Sequence, residues 1–335
     1  MIGGDSVYDS KPRLWLSDGV ITTKQNLKKN HQRSENTGIK KNNRADIWDQ
    51  INLREMLRCD HKKLYQGQSK FQNIHVLEAK EIRMFLDEQL QFSSLDERIY
   101  HEAFVHIPMA LTDHHDRVLI LGGGDGLALR EVLKYSDVKH VDLVDIDPEM
   151  LNIARNIPEI VELNERAFFD KRVNAYAEDA RHFLKNNNKK YDLILVDFPD
   201  PTDATLASLY TLEMFQMITN YLAKDGLIVC QANSPEDTPI VFWSIGLTME
   251  KAGLYTEGYH TIVPSFGDWG FQLGAKKPLS TQMRSIRVPY RTLPSNLGSL
   301  FHFRSNMLAY KREAIVIKEK NPQLHKIFQE EVIRL

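Results

Sequence analysis

The rhythm of hydrophobic and polar positions changes three times along the chain. Up to about residue 60 large apolar residues are sparse, and 24–44 is rich in Lys, Arg, Asn and Gln. Such a stretch buries too little apolar surface to offset the entropy of ordering. It reads as a flexible polar segment over 1–60, with one short helix at 47–56. Between about residues 65 and 92 two partly alternating apolar runs, 74–77 and 82–86, are separated by polar breaks. They predict a small antiparallel β domain. A linking helix is expected over 96–110, with Ile99, Phe104 and Ile107 apolar, so that the β domain and helix together span 61–112.

From 117 to 275 short apolar runs alternate with helical spacings, the rhythm of an α/β unit. Strands are expected at 118–121, 141–145, 173–176, 192–197, 227–232, 257–263 and 269–275. Helices are expected at 126–135, 148–156, 179–185, 210–223 and 238–252. The fold class that follows is α/β, with a mostly parallel central sheet over 113–278. A C-terminal extension, 279–335, contains a loop at 289–294 and two helical patterns at 300–307 and 323–333.

Composition changes this picture little. The 335 residues are 42% hydrophobic and 26% charged, as in ordinary globular proteins. The net charge of −2 supplies no general attraction to nucleic acid. No run reaches the roughly 18 apolar residues of a membrane span, and no signal peptide is visible. Cys59 and Cys230 lie far apart and suit a reducing cytoplasm. Cys59-Asp60-His61 has no second cluster to complete a metal site, so no metal is expected.

The chemistry gathers where strands end. The run 118–121 leads directly into Gly122, Gly123, Gly124 and Gly126, then a helical stretch. Strand, glycine turn and helix open a nucleotide-binding unit, although a plain tight turn has the same composition. Asp145 ends the next strand about 20 residues on, where a carboxylate commonly accepts ribose hydroxyls. Asp125, inside the glycine turn, would repel a pyrophosphate and attract a cation. A nucleoside carrying a sulfonium and a free amine fits both carboxylates. Asp179 follows the third strand, either as a helix cap or as an acceptor for an adenine amino group. Asp197 ends the fourth, and Asp200 follows in Asp197-Phe198-Pro199-Asp200-Pro201. Two prolines stiffen that loop, which is also compatible with ordinary turn chemistry. The small polar residues at 202–209 suit a mobile lid.

Taken together, several strings resemble the polyamine aminopropyltransferases, the spermidine synthase family, from about residue 63 to 277. They are Ser69-Lys70-Phe71-Gln72, Leu86-Asp87 through Gln91, Asp96-Glu97-Arg98-Ile99-Tyr100-His101-Glu102, Gly122-Gly123-Gly124-Asp125-Gly126 and the Asp197 loop. Leu206-Ala207-Ser208-Leu209-Tyr210, Gln231-Ala232-Asn233-Ser234-Pro235 and the stretch through Phe266 to Trp269 resemble a bacterial branch that often carries a transmembrane half, which is not expected here because no apolar run is long enough to form one. The family's Leu-Asp-Gly turn is Leu86-Asp87-Glu88 here, its usual Glu is Asp145, and a Tyr of its substrate site is replaced by Phe266.

The resemblance implies a Rossmann-like, methyltransferase-type fold. It also implies transfer of an aminopropyl group from decarboxylated S-adenosylmethionine, a co-substrate rather than a cofactor, to a diamine such as putrescine. Gln72, Asp145, Asp179 and Ala180 would hold the thioadenosine. Asp125 and His101 would face the aminopropyl or polyamine chain, with Gln91 also binding substrate. Tyr100 and Asp197 would act at the reacting nitrogen, and Asp200 would hold the far end of the acceptor. A cytoplasmic homodimer or homotetramer follows from the same likeness. The alternatives are an S-adenosylmethionine-dependent amine N-methyltransferase, which Asp125 disfavours, and a non-catalytic polyamine-binding protein.

Overall fold

In the computed structural model, which describes residues 47–112, 114–280 and 283–334, the chain builds two sheets. Residues 1–46, and with them most of the expected polar segment, lie outside the described residues. The expected short helix runs Ile47–Arg58. The end of the 1–60 segment therefore belongs to the folded body. Leu53 and Met56 on that helix are buried with Leu77, Phe85 and Leu90 of the first sheet.

That sheet is an antiparallel meander of β1 (Lys62–Gln68), β2 (Asn73–Glu78), β3 (Ile82–Leu86) and β4 (Gln89–Ser93). The hydrophobic pattern did not signal β1, because Lys-Lys-Leu-Tyr-Gln-Gly-Gln is mostly exposed and held by its pairing with β2.

The second sheet contains β5 (Arg117–Gly122), β6 (His140–Asp145), β7 (Val173–Ala177), β8 (Tyr191–Asp197), β9 (Leu222–Gln231), β10 (Tyr255–Val263) and β11 (Gly267–Ala275). Their order is β10-β11-β9-β8-β5-β6-β7. The strands β5 to β9 pair in parallel, and β10 and β11 close one edge antiparallel. This is the expected Rossmann-like, methyltransferase-type sheet. Successive residues serve opposite faces: Val118 and Ile120 join one core, Leu119 and Leu121 the other. Burial on both faces is why the central strands read as unbroken apolar runs.

Two expected helices differ. The one placed at 210–223 runs Leu212–Tyr221, because the Thr211 side chain caps it and Leu222 already belongs to β9. The pattern at 300–307 divides into a 3₁₀ turn, Leu297–Phe301, and a helix, Ser305–Ala309. Phe303 packs its ring against Phe242, Trp243 and His260, which holds the chain between them out of helix. The last helix, Leu324–Arg334, inserts Leu324 and Phe328 into the core. Its Glu331 carboxylate accepts the N–H groups of Ile240 and Val241, 3.0 and 3.1 Å away, at the start of helix Pro239–Lys251. That helix has no local side-chain cap, so the carboxylate fills the role from a distance.

A two-residue turn joins β3 to β4, with Asp87 and Glu88 both at positive φ, 47° and 69°. Such turns match the twist of the flanking strands but suit Asn-Gly or Asp-Gly. A side chain in this region costs about 1–2 kcal/mol, part of which glycine returns through its freer unfolded chain. Glu88→Gly should therefore stabilise the protein by about 0.5–1 kcal/mol, read as a higher melting midpoint. A midpoint at or below the parent's would mean that Glu88 makes contacts worth more than the relief of strain.

Candidate active site

The turn after β5 is built by close approach. Gly122 has φ of 87°, and a Cβ there would lie 2.1 Å from the Asp197 carbonyl oxygen. At Gly124 a Cβ would lie 2.5 Å from Asp145 Oδ2. Instead the Gly124 N–H donates to that oxygen at 2.9 Å, and the Asp147 N–H donates to Oδ1 at 2.8 Å. Burial pushes the Asp145 carboxyl up to about 6 against these two donors, and the charges of Asp147 and Asp125 push the same way. Ile146, between the two aspartates, is 44% exposed, an apolar surface facing outward beside Asp145.

Asp147 itself is fully buried. It caps helix Pro148–Asn156 through the Glu149 N–H, and accepts from Ser69 Oγ at 2.6 Å and Gln72 Nε2 at 2.9 Å. Gln72 thus reaches the Asp145 region through Asp147. The β6 end also receives the Glu178 N–H on the Asp145 carbonyl, 2.9 Å, which sets the β7 turn beside it. There Asp179 accepts from the N–H groups of Arg181 and His182 and caps helix Ala180–Asn186.

On the other side of the glycine turn, Tyr100 from helix Glu97–Leu111 donates its hydroxyl to Asp197 Oδ1 at 2.5 Å. Burial pushes Asp197 up to about 6; His101 opposes this, Asp125 adds to it, and the Tyr100 hydrogen bond opposes it. Asp125 accepts the Leu127 N–H at 2.8 Å, and its carboxyl is raised by burial, which His101 counteracts. His101 is buried, with Nδ1 2.7 Å from the Glu97 carbonyl and 2.9 Å from Glu97 Oε2. Burial alone would lower its pKa, but Glu97, Asp125 and Asp197 outweigh this and leave it raised. Glu97 in turn holds Arg130 with both oxygens at 2.9 Å. Desolvation works against the Glu97 charge, yet His101 and Arg130 keep its carboxyl below the usual range.

Asp200 is enclosed by amides. Gln89 Nε2 donates to Oδ2 at 2.8 Å, Asn233 Nδ2 to Oδ1 at 2.8 Å, and Gln231 Nε2 to Oδ1 at 3.5 Å. Asn233 has φ of 68°, a left-handed conformation at the end of β9. The Tyr210 hydroxyl donates to the carbonyls of Phe198 and Pro199 and fixes the proline loop. Gln91, on β4, donates its amide to the Gln89 carbonyl at 3.3 Å. The stretch expected as a lid folds as a short helix, Ala204–Ala207, capped by Asp203, with Leu206 and Ala207 buried and Ser208 held by Arg181.

The structure thus joins Tyr100, His101, Asp125 and Asp197 in one cluster, with Asp145, Gln72, Asp179 and Ala180 around the ends of β6 and β7. Asp200 sits among Gln89, Gln231 and Asn233, three residues that the sequence reading had not singled out for the site. Asp147 and Glu97 were also missed. Asp147-Pro148 is a helix-start signature that marks the first of them. The carboxylates give this end of the sheet a negative field suited to a cationic ligand.

The spermine/spermidine synthase domain family matches residues 97–284. The chain is 50% identical over 316 residues to polyamine aminopropyltransferase 2 of Bacillus anthracis, covering 92% of this chain and 88% of that one. It is 42% identical over 250 residues to polyamine aminopropyltransferase of Oceanobacillus iheyensis, of which it spans 49%. Among solved structures, spermidine synthase from Thermotoga maritima superposes with a TM-score of 0.69 at 24% identity, over 75% of this chain and 88% of that one. A spermidine synthase bound to the transition-state analogue AdoDATO gives 0.70 at 23% identity, over 75% and 89%.

The electrostatics of the cluster can be tested directly. In the ligand-free protein the Asp197 carboxyl should titrate near pH 6, followed by its carboxyl ¹³C shift. His101 acts to lower its pKa, so His101→Asn should move the midpoint upward. Asp125→Asn should move it downward, because that carboxylate repels the Asp197 charge. A midpoint unmoved by both substitutions would disprove the coupling.

Proposed function

Because the chain belongs to the spermine/spermidine synthase domain family, we propose that it moves the aminopropyl group of decarboxylated S-adenosylmethionine to a diamine, putrescine in the first instance. The product is spermidine, and 5′-methylthioadenosine leaves. The observation that carries this reading is the Tyr100–Asp197 pair, 2.5 Å apart, beside Asp125 at the glycine turn. Asp145 is assigned the ribose hydroxyls, with Gln72, Asp179 and Ala180 around the thioadenosine. The outward face of Ile146 offers the adenine an apolar contact. Asp125 is assigned the donor's primary amine. S-adenosylmethionine carries a carboxylate near that position, which Asp125 would repel.

The nucleophile has to be a neutral amine. An alkyl ammonium with a pKa of about 10.4 is about 0.1% deprotonated at about pH 7.4, a deficit of about 4 kcal/mol. Asp197 accepts the proton, and its raised pKa narrows the mismatch with the ammonium. Tyr100 orients the acceptor oxygen and the nitrogen. His101, held by Glu97, faces the substrate chain, and Gln91 lines the same side. The nitrogen lone pair attacks the carbon next to the sulfonium, the C–N bond forms, and the C–S electron pair returns to sulfur. Asp200 binds the distal ammonium and so aligns the diamine, and alignment of two bound reactants supplies several kcal/mol. The sulfonium is already an activated leaving group, so the reading assigns no metal.

Among the described residues no helix is long and apolar enough to cross a membrane. The reading retains a cytoplasmic homodimer or homotetramer, and a division into a β domain to 112 that takes in helix Ile47–Arg58, a catalytic domain to 278 and an extension to 335.

Steady-state kinetics of two variants separate the roles. Asp197→Asn should lower kcat by about 10²–10⁴-fold with little change in donor affinity, and recover rate above about pH 9 as free amine becomes abundant. Asp200→Asn should chiefly raise the KM for the diamine, by about 1.5–3 kcal/mol or about ten- to a hundredfold, with no such recovery. Near-normal kcat at neutral pH in the Asp197 variant would remove the base from the mechanism. Methylated amine in place of methylthioadenosine would make the protein a methyltransferase.

A further inference from the structure

The strand β4 opens with Gln89, directly after the Asp87–Glu88 turn, and its side chain does not stay with its own sheet. It is buried, 8% exposed, and donates Nε2 to Asp200 Oδ2 at 2.8 Å. The other two amides on Asp200, from Gln231 and Asn233, come from the end of β9 and engage Oδ1. The carboxylate is therefore held on one oxygen by the large sheet and on the other by the small one. Residues from two separate sheets converge on this one group, and Gln89 is the member that the small sheet contributes.

We infer that Gln89 ends the acceptor site and sets the length of amine that the enzyme accepts. The inference rests on the reading above, in which Asp200 takes the distal ammonium. An amine whose far ammonium reaches Asp200 fits. One with further methylenes, or with a second aminopropyl arm, has to continue past Asp200 into the volume that the Gln89 side chain fills. Two properties of Gln89 are then separable. Its amide supports the Asp200 carboxylate for every acceptor, whereas its bulk discriminates among them.

Two substitutions divide these effects. Gln89→Met keeps the length of the side chain and removes the amide. Gln89→Ala removes both. The assay supplies decarboxylated S-adenosylmethionine with 1,3-diaminopropane, putrescine, cadaverine or spermidine, and reads products by mass spectrometry and initial rates. Gln89→Met should raise the KM of all the amines and leave their ranking as in the parent. Gln89→Ala should raise the ratio of kcat/KM for cadaverine and for spermidine, each relative to putrescine, by about tenfold, the scale of one or two methylenes in a shaped pocket. Gln89→Asn, shorter by one methylene, should move the ranking in the same direction by less, and serves where the alanine variant does not fold. An unchanged donor KM shows that the rest of the site is intact. A ranking identical to the parent's in both the Ala and Asn variants would overturn the inference and leave Gln89 as a support for Asp200 alone. If the parent transfers aminopropyl to all four amines equally, the site has no boundary and the inference also falls. No transfer by the parent to any amine would instead overturn the functional reading, and this inference with it.

Discussion

The space that a side chain would occupy at Gly122 is filled by the carbonyl of Asp197. That contact lets the ends of β5 and β8 meet without a side chain between them. It places Asp197 against the glycine turn that carries Asp125. The same turn, two residues on, gives its Gly124 N–H to Asp145 at the end of β6. Three carboxylates from separate strand ends and the turn are thereby gathered where the strand order reverses, which is where open α/β sheets bind ligands. Each has a raised pKa, since close approach excludes water from all of them. A larger residue at Gly122 would separate the strand ends and relax the desolvation together.

A counterweight lies underneath. Arg130, Glu97 and His101 form a buried ionic chain leading from helix Leu127–Leu133 into helix Glu97–Leu111. Burying such groups is unfavourable unless each is paired, and removal of one partner strands the others. Here the chain favours the protonated imidazole, as do the charges of Asp125 and Asp197 beside it. The helix that carries Tyr100 and His101 is buried along most of its length, which fixes both side chains against the strand ends.

Much of this was legible in the sequence, for a physical reason. The central strands are buried on both faces, so they appear as apolar runs, and the aspartates that end them stand out against that background. The string from Gly122 to Gly126 and the Asp-Pro pairs are unusual enough to locate the turns. The strand β1 left no such trace, because its order comes from pairing with β2 and not from its own composition. Gln89, Gln231 and Asn233 lay within strings of family likeness but carried no role there: neutral amides are common everywhere, and only their convergence on Asp200 gives them meaning. Asp179 carried two readings in the sequence, and the capping one is realised in the hydrogen bonds of its Oδ1. The break in the 300–307 helix depends on where the Phe303 ring finds its neighbours, which no local pattern encodes.

The carboxylate of Glu331 sits on the first N–H groups of helix Pro239–Lys251, although the two are separated by 91 positions in the chain. Translation proceeds at about 5–20 residues per second, so that helix emerges several seconds before the group that completes its first turn. Until then its leading amides have only water. The first turn of that helix is therefore completed only when the distant helix has docked.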